Sequence, residues 1–204
     1  MERFLRVVEP RGDVVGVAIV LHGGYVRAAR RAGPLTLAAL RMYPFGVGLA
    51  RRGIATAFVR YGAAGWNDGA RVPDGREAVV EATRRWPDVP VALLGHSMGA
   101  RIALRVADAP GVVGVVALAP WVPPGEPVEQ LAGRAVAIVQ GDRDRTTRPE
   151  ESLRYAAEAT PCAGRVTRTV VPGGEHKLLV HAGTWQRLAR AALLDLLATS
   201  RTPR

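Results

Sequence analysis

Apolar, β-branched runs of strand length recur along this chain, most of them without polar alternation, at Val14 to Leu21, Ile54 to Arg60, Val91 to Leu94, Val112 to Leu118, Ala135 to Val139 and Val166 to Val171. A strand with one face in water alternates polar and apolar residues, whereas a strand covered on both faces reads as a continuous apolar run. These runs therefore predict strands sandwiched between other elements, with Phe4 to Val8 a weaker candidate. The segments between them carry helical signals. Asp74 followed by Glu77 reads as a capping box, after which Val79, Ala82, Thr83 and Trp86 fall at helical spacing. Near the carboxyl end Trp185, Leu188, Ala189, Ala192, Leu193 and Leu196 form one apolar stripe with Arg187 and Arg190 off it. Alternating strands and helices predict an α/β fold, a mostly parallel sheet of six to seven strands with helices on both faces. No repeat, low-complexity tract or linker interrupts it, so residues 1–204 are expected to form a single domain.

Charge and cysteine content narrow the function classes. The formal net charge of +10 raises the question of nucleic acid, but the basic residues are scattered in pairs such as Arg51-Arg52 and Arg84-Arg85, with few aromatics to stack on bases. A solvated basic surface is the expected reading, and no nucleic-acid partner is predicted. No apolar run approaches the roughly 18 residues that span a bilayer, and the amino-terminal residues lack the apolar core of a signal peptide. Cys162 is the sole cysteine, which excludes an intramolecular disulfide and thiol metal clusters. A cytoplasmic protein without membrane insertion is expected. The histidines lack a recognisable ligand spacing, so neither a metal nor a cofactor is predicted.

The chain holds three serines, and one of them, Ser97, stands in "GHSMG" directly after an apolar run and before a helical segment. On a sharp strand-to-helix turn, glycines at positions 95 and 99 would remove side chains where the elements crowd together, pushing the serine hydroxyl into the open. Such a hydroxyl needs a base, and the base needs a carboxylate to fix its tautomer. Asp144 lies in "QGDRDRTTRPEES" after the run ending at Val139, and His176 in "VPGGEHKLL" after the run ending at Val171. Each stands just past a strand's carboxyl end, which places Ser97, Asp144 and His176 on one edge of one sheet. "LHGGY" at residues 21 to 25 also leaves a strand, and backbone amides there, with that of Met98, could face a developing negative charge.

With these four elements in this order, the sequence resembles the α/β-hydrolase superfamily from about Val14 to Leu197, through "HGG" (His22 to Gly24), "GHSMG", "GDRD" (Gly141 to Asp144) and "GGEH" (Gly173 to His176). The resemblance implies that Ser97 is the nucleophile, Asp144 the orienting acid and His176 the base, with the amides of Gly24 and Met98 as oxyanion donors. Many relatives insert a lid after the strand corresponding to Val112 to Leu118, but here only Pro120 to Arg134 is available. The chain is therefore similar to minimal members with a small cap or none, such as the dienelactone hydrolase-like and small esterase or thioesterase branches.

Other residues compete for these roles. His181 is near enough in sequence to rival His176, and Asp142 rivals Asp144 through a short shift in loop register. His22 is expected to hold the oxyanion loop and His96 to pack beside the turn. Trp66, Trp86 and Trp185 read as packing residues, whereas Trp121 has a pocket role or a structural one. Tyr25 and Trp121 are the candidate substrate-binding side chains, and Arg27, Arg30 and Arg31 are candidates for contact with an anionic substrate group. The expected activity is hydrolysis of a small-molecule ester or thioester through an acyl-enzyme. The alternatives are acyl transfer on the same triad, or a repurposed member that only binds a ligand.

Overall fold

The computed structural model describes residues 4–28 and 36–200. Its strands are β1 (Phe4–Val8), β2 (Gly16–Leu21), β3 (Ile54–Val59), β4 (Val91–His96), β5 (Val112–Leu118), β6 (Ala135–Gly141) and β7 (Arg165–Val171). They form one seven-stranded sheet in the order β1-β3-β2-β4-β5-β6-β7. Only β1 runs antiparallel, against β3, and every other pairing is parallel. The helices are α1 (Leu37–Leu40), α2 (Val72–Arg85), α3 (Met98–Arg105), α4 (Pro149–Ala159) and α5 (Ala182–Thr199).

The continuous apolar runs of the inner strands follow from burial on both faces, whereas the edge strand β7, expected to be covered, is exposed along most of its length. In β2, Val17, Ile19 and Leu21 face a core shared with α2, α3 and α4, while Ala18 and Val20 face a second core shared with α5 and the turns after α1. The carboxyl-terminal stripe is correctly oriented, since Trp185, Ala189, Leu193 and Leu196 are buried in that second core. One local expectation fails. Helix α2 begins at Val72, so Asp74 lies in its first turn and is not the N-cap. Its carboxylate instead accepts from the backbone N–H of Gly62 at 3.0 Å and from the Arg71 guanidinium at 2.7 Å, so a tertiary contact takes the place of a local cap.

The connection from β5 to β6, residues 119–134, holds a single short 3₁₀ turn at Glu129–Leu131 and no cap. It is fastened down along its length. The Arg154 guanidinium donates to Val122 O, Gln130 Nε2 to Leu104 O, and the Tyr155 hydroxyl to Pro127 O. Glu126 is buried within it and pairs with Arg101 and Arg105 of α3. A buried carboxylate is tolerated only when paired and hydrogen-bonded, and two guanidiniums meet that condition here.

Two histidines are also buried in the sheet's carboxyl edge, His96 at the end of β4 and His22 just past β2. Burial foremost, with the charges of His176 and Arg41 acting in the same direction, pushes His96 down to about 3. Burial likewise lowers His22 against the opposing hydrogen bond from its ring to Gly23 O. Both are neutral in the folded chain near pH 7, whereas an unfolded chain protonates histidine near pH 6.5. Between about pH 6.5 and 3 the unfolded state therefore binds more protons, and stability must fall as the pH falls. Denaturant unfolding across that window should show a loss of up to about 1.4 kcal/mol per pH unit from His96 alone, and His96→Gln should flatten the slope. An unchanged slope in the variant would show that His96 is not the source.

Candidate active site

Ser97 occupies the single residue between β4 and α3, with φ +54° and ψ −118°. A non-glycine residue at positive φ with this ψ is strained and persists only where its surroundings over-determine it. Those surroundings are the close approaches of Gly95 and Gly99. A Cβ on Gly99 would lie 2.1 Å from Leu21 O, and one on Gly95 would lie 2.4 Å from Gly99 O, so neither position accepts a side chain. The Ser97 N–H donates to Leu118 O at 3.0 Å, fastening the turn to the end of β5. The spacing in "GHSMG" is thus the spacing at which α3 can cross the end of β2.

Two loops deliver the partners. The loop after β6 carries Asp144 and the loop after β7 carries His176, and the two are joined where Arg143 N–H donates to Gly174 O at 3.0 Å and Gly173 N–H donates to Asp142 Oδ1 at 2.7 Å. His176 Nε2 lies 3.0 Å from Ser97 Oγ, and its Nδ1 lies 2.9 Å from Asp144 Oδ2. Beneath it, neutral His96 donates from Nε2 to His176 O at 2.9 Å, fixing the backbone of the histidine loop. The arrangement fits a Ser–His–Asp triad.

The buried Asp144 carboxylate is well supplied with donors. Oδ1 accepts from the N–H groups of Thr146 and Thr147 at 2.8 and 2.9 Å, and Oδ2 accepts from Gln140 Nε2 at 3.1 Å. Thr147 Oγ1 lies 2.8 Å from Asp144 Oδ2, 3.1 Å from Ala119 O and 3.1 Å from His176 Nδ1. Burial pushes the Asp144 carboxyl up, but the hydrogen bond and charge of His176 and the two backbone N–H groups outweigh it, holding the group below the usual carboxylate range. It is ionised near neutral pH and accepts the Nδ1 proton, so Nε2 of a neutral His176 presents a lone pair to the serine.

A cavity of about 600 Å³ opens beside Ser97 and is lined in part by Gly24, Tyr25, Met98 and Trp121. Met98 is buried and packs against Gly24. Tyr25 is 56% exposed at the mouth, its backbone paired with residues 64–66. Trp121 forms a wall, and Arg101 holds it there. The Arg101 guanidinium carbon sits 4.5 Å from the Trp121 ring centroid and 4.1 Å from that of Trp66, while Glu126 binds the guanidinium itself. Trp121 therefore unites the pocket and structural roles, and buried Trp66 packs edge-on against it.

The rival residues named from the sequence lie apart from the contact between Ser97 and His176. His181 is exposed at the start of α5, with its ring beside Gly173. Asp142 is exposed and ties the two loops together without reaching His176. Arg27 points into solvent at 79% exposure near Asp68, and Arg30 and Arg31 lie outside the described residues. Gln140, Thr147 and Arg41, which the sequence reading did not single out, border the site. Gln140 carried one signal, as a polar residue at the end of an apolar strand, where a buried amide must find partners. Thr147 and Arg41 carried none.

The family model for the alpha/beta hydrolase domain matches residues 66–192. No curated protein sequence matches the chain. Among solved structures, an alpha-beta serine hydrolase homologue from Coxiella burnetii superposes with a TM-score of 0.73 at 19% identity, over 92% of this chain and 89% of that one. A serine hydrolase without lid from Xanthomonas campestris gives a TM-score of 0.71 at 17% identity, over 97% and 89% of the two chains. Est1E from Butyrivibrio proteoclasticus, solved with ferulic acid, gives 0.71 at 15% identity, over 95% and 94%. At these identities the structural likeness establishes the fold, and it matches the absence of a cap between β5 and β6. With the matched model covering residues 66–192, from the segment before α2 into α5, the chain belongs to the alpha/beta hydrolase domain family.

Proposed function

We propose that this protein is a serine hydrolase that cleaves a carboxylic ester or thioester through an acyl-enzyme on Ser97. The reading rests on one observation, the 3.0 Å contact between His176 Nε2 and Ser97 Oγ with Asp144 on the far side of the imidazole at 2.9 Å. In this mechanism His176 takes the hydroxyl proton as Ser97 Oγ attacks the carbonyl carbon, and Asp144 stabilises the imidazolium that forms. The amides of Gly24 and Met98 are the proposed oxyanion donors. Met98 opens α3, where a backbone N–H has no intrahelical acceptor, which supports its part in this role. His176 then passes its proton to the leaving oxygen or sulfur, and water activated by the same imidazole releases the acid. Tyr25 at the mouth and Trp121 along the wall are the proposed substrate contacts.

A fluorophosphonate probe on the purified protein, followed by peptide mapping, is expected to label Ser97. Ser97→Ala should remove both the label and turnover of p-nitrophenyl esters and acyl thioesters, with kcat falling by about 10⁴ or more. Activity persisting in the alanine variant, or a wild type that neither labels nor turns over, would favour the reading of a ligand-binding member of the fold.

Asparagine substitutions separate the two aspartates. Asp144→Asn preserves size but removes the acceptor that selects the histidine tautomer, so kcat should drop by about 10⁴. Asp142→Asn should retain most activity, since among the described residues that side chain bonds the Gly173 N–H at the loop junction and not His176. Reversed effects in parallel kcat measurements would reassign the acid.

Without a cap to displace, hydrolysis of a soluble ester should rise smoothly with concentration through the critical micelle concentration. A sharp rate increase at that point would show that some element gates the site.

A further inference from the structure

Arg41 lines the cavity beside Ser97. It follows α1 as its C-cap residue, and its backbone N–H donates to Leu37 O at 3.1 Å. Its backbone is held in place because the next residue, Met42, is fully buried, as are Phe45 and Leu49 in the same connection to β3. The guanidinium is half-buried, and its Nε is shut off from solvent with no hydrogen-bond partner among the described residues. Some other sheltered arginines meet carboxylates, while Arg60 and Arg190, like Arg41, bury an Nε with no hydrogen-bond partner among the described residues. Arg71 pairs with Asp74 and Arg101 with Glu126, at side-chain exposures of only 15% and 11%.

The cavity offers Arg41 no such partner. No Asp or Glu lines it among the described residues, and Lys177, which also lines it, is exposed. Residues 29–35, "ARRAGPL", contain no acidic residue in sequence. Burial pushes the Arg41 guanidinium down from its ordinary value, and its charge is felt by the buried His96 ring next to Ser97. A partly desolvated cation without a counter-charge is costly, and that cost is offset when an anionic ligand group supplies charge-assisted hydrogen bonds. The planar fork of arginine suits a carboxylate in particular.

We propose that Arg41 is a specificity-determining residue, and that the substrate is an ester or thioester bearing a free carboxylate that this guanidinium holds in the cavity beside Ser97. The proposal rests on the hydrolase reading above for its reaction, and on Arg41 for its selectivity. The carboxylate is carried either by the acyl part or by the leaving alcohol, and the two are tested with paired substrates. Monomethyl adipate is compared with methyl hexanoate for the acyl side, and 4-acetoxybutanoate with butyl acetate for the alcohol side.

The wild type should favour the carboxylated member of one pair by about 10- to 100-fold in kcat/KM, the range expected of one charge-assisted contact. Arg41→Gln should collapse that ratio, and Arg41→Lys, which keeps charge but not the fork, should retain part of it. A wild type indifferent to the carboxylate in both pairs, or a preference that survives Arg41→Gln, would overturn the proposal. Calorimetric binding of the same four esters to Ser97→Ala separates this outcome from a failure of the hydrolase reading. Selective binding of a carboxylated ester that disappears in Ser97→Ala/Arg41→Gln supports the subsite even if the wild type turns nothing over. Turnover of neutral and carboxylated esters alike, with no selective binding, removes the subsite and leaves the hydrolase standing.

Discussion

The first turn of α3 crosses so close to the ends of β2 and β4 that a Cβ on Gly99 would fall 2.1 Å from Leu21 O. Everything at the site depends on that approach. It forces Ser97 into a strained conformation, with φ at +54°, and it brings the opening amide of α3 beside the loop that leaves β2. Strain of this kind costs on the order of 1–3 kcal/mol and survives because the sheet on one side and the helix on the other leave the turn no alternative. Fully buried strands supply that rigidity, with Val17, Ile19, Leu93, Leu94, Val115 and Val116 all inaccessible to solvent.

The same edge is where buried polarity is concentrated. His22, His96, Gln140, Asp144 and Thr147 are all buried near it, and most of their polar atoms are spent on one another or on backbone. The Asp144 carboxylate keeps its charge because two backbone N–H groups and the His176 ring outweigh its desolvation. His96 gives up the ability to protonate near neutral pH and becomes a fixed donor to the histidine loop. Hydrogen bonding thus sets the ionisation state of Asp144 and burial that of His96 before any ligand arrives.

The connection between β5 and β6 shows how a chain of this size manages without a cap. Glu126 draws Arg101 and Arg105 toward that connection, and Arg101 in turn holds Trp66 and Trp121. One buried carboxylate therefore fixes both the course of the connection and a wall of the cavity. The cavity is lined as well by side chains from other loops, Arg41 among them.

Much of this was legible in the sequence. Unbroken apolar runs determined inner strands covered on both faces, because only such strands can dispense with polar alternation. "GHSMG" after one of them determined the elbow, and chain order with strand-end position singled out Ser97, Asp144 and His176. Only the tertiary structure shows that Asp144 and His176, and not Asp142 or His181, meet each other beside Ser97, since each pair differs by a loop path that no local pattern encodes. It also moved Asp74 from a cap to a partner of Gly62 and Arg71, and it revealed Thr147, Gln140 and Arg41 at the site. Backbone propensity and hydrophobic periodicity act over a few residues and can be read along the chain. The partner of a buried charge is chosen by whichever distant group the packed fold brings within reach, and for Arg41 the cavity leaves that place to a ligand.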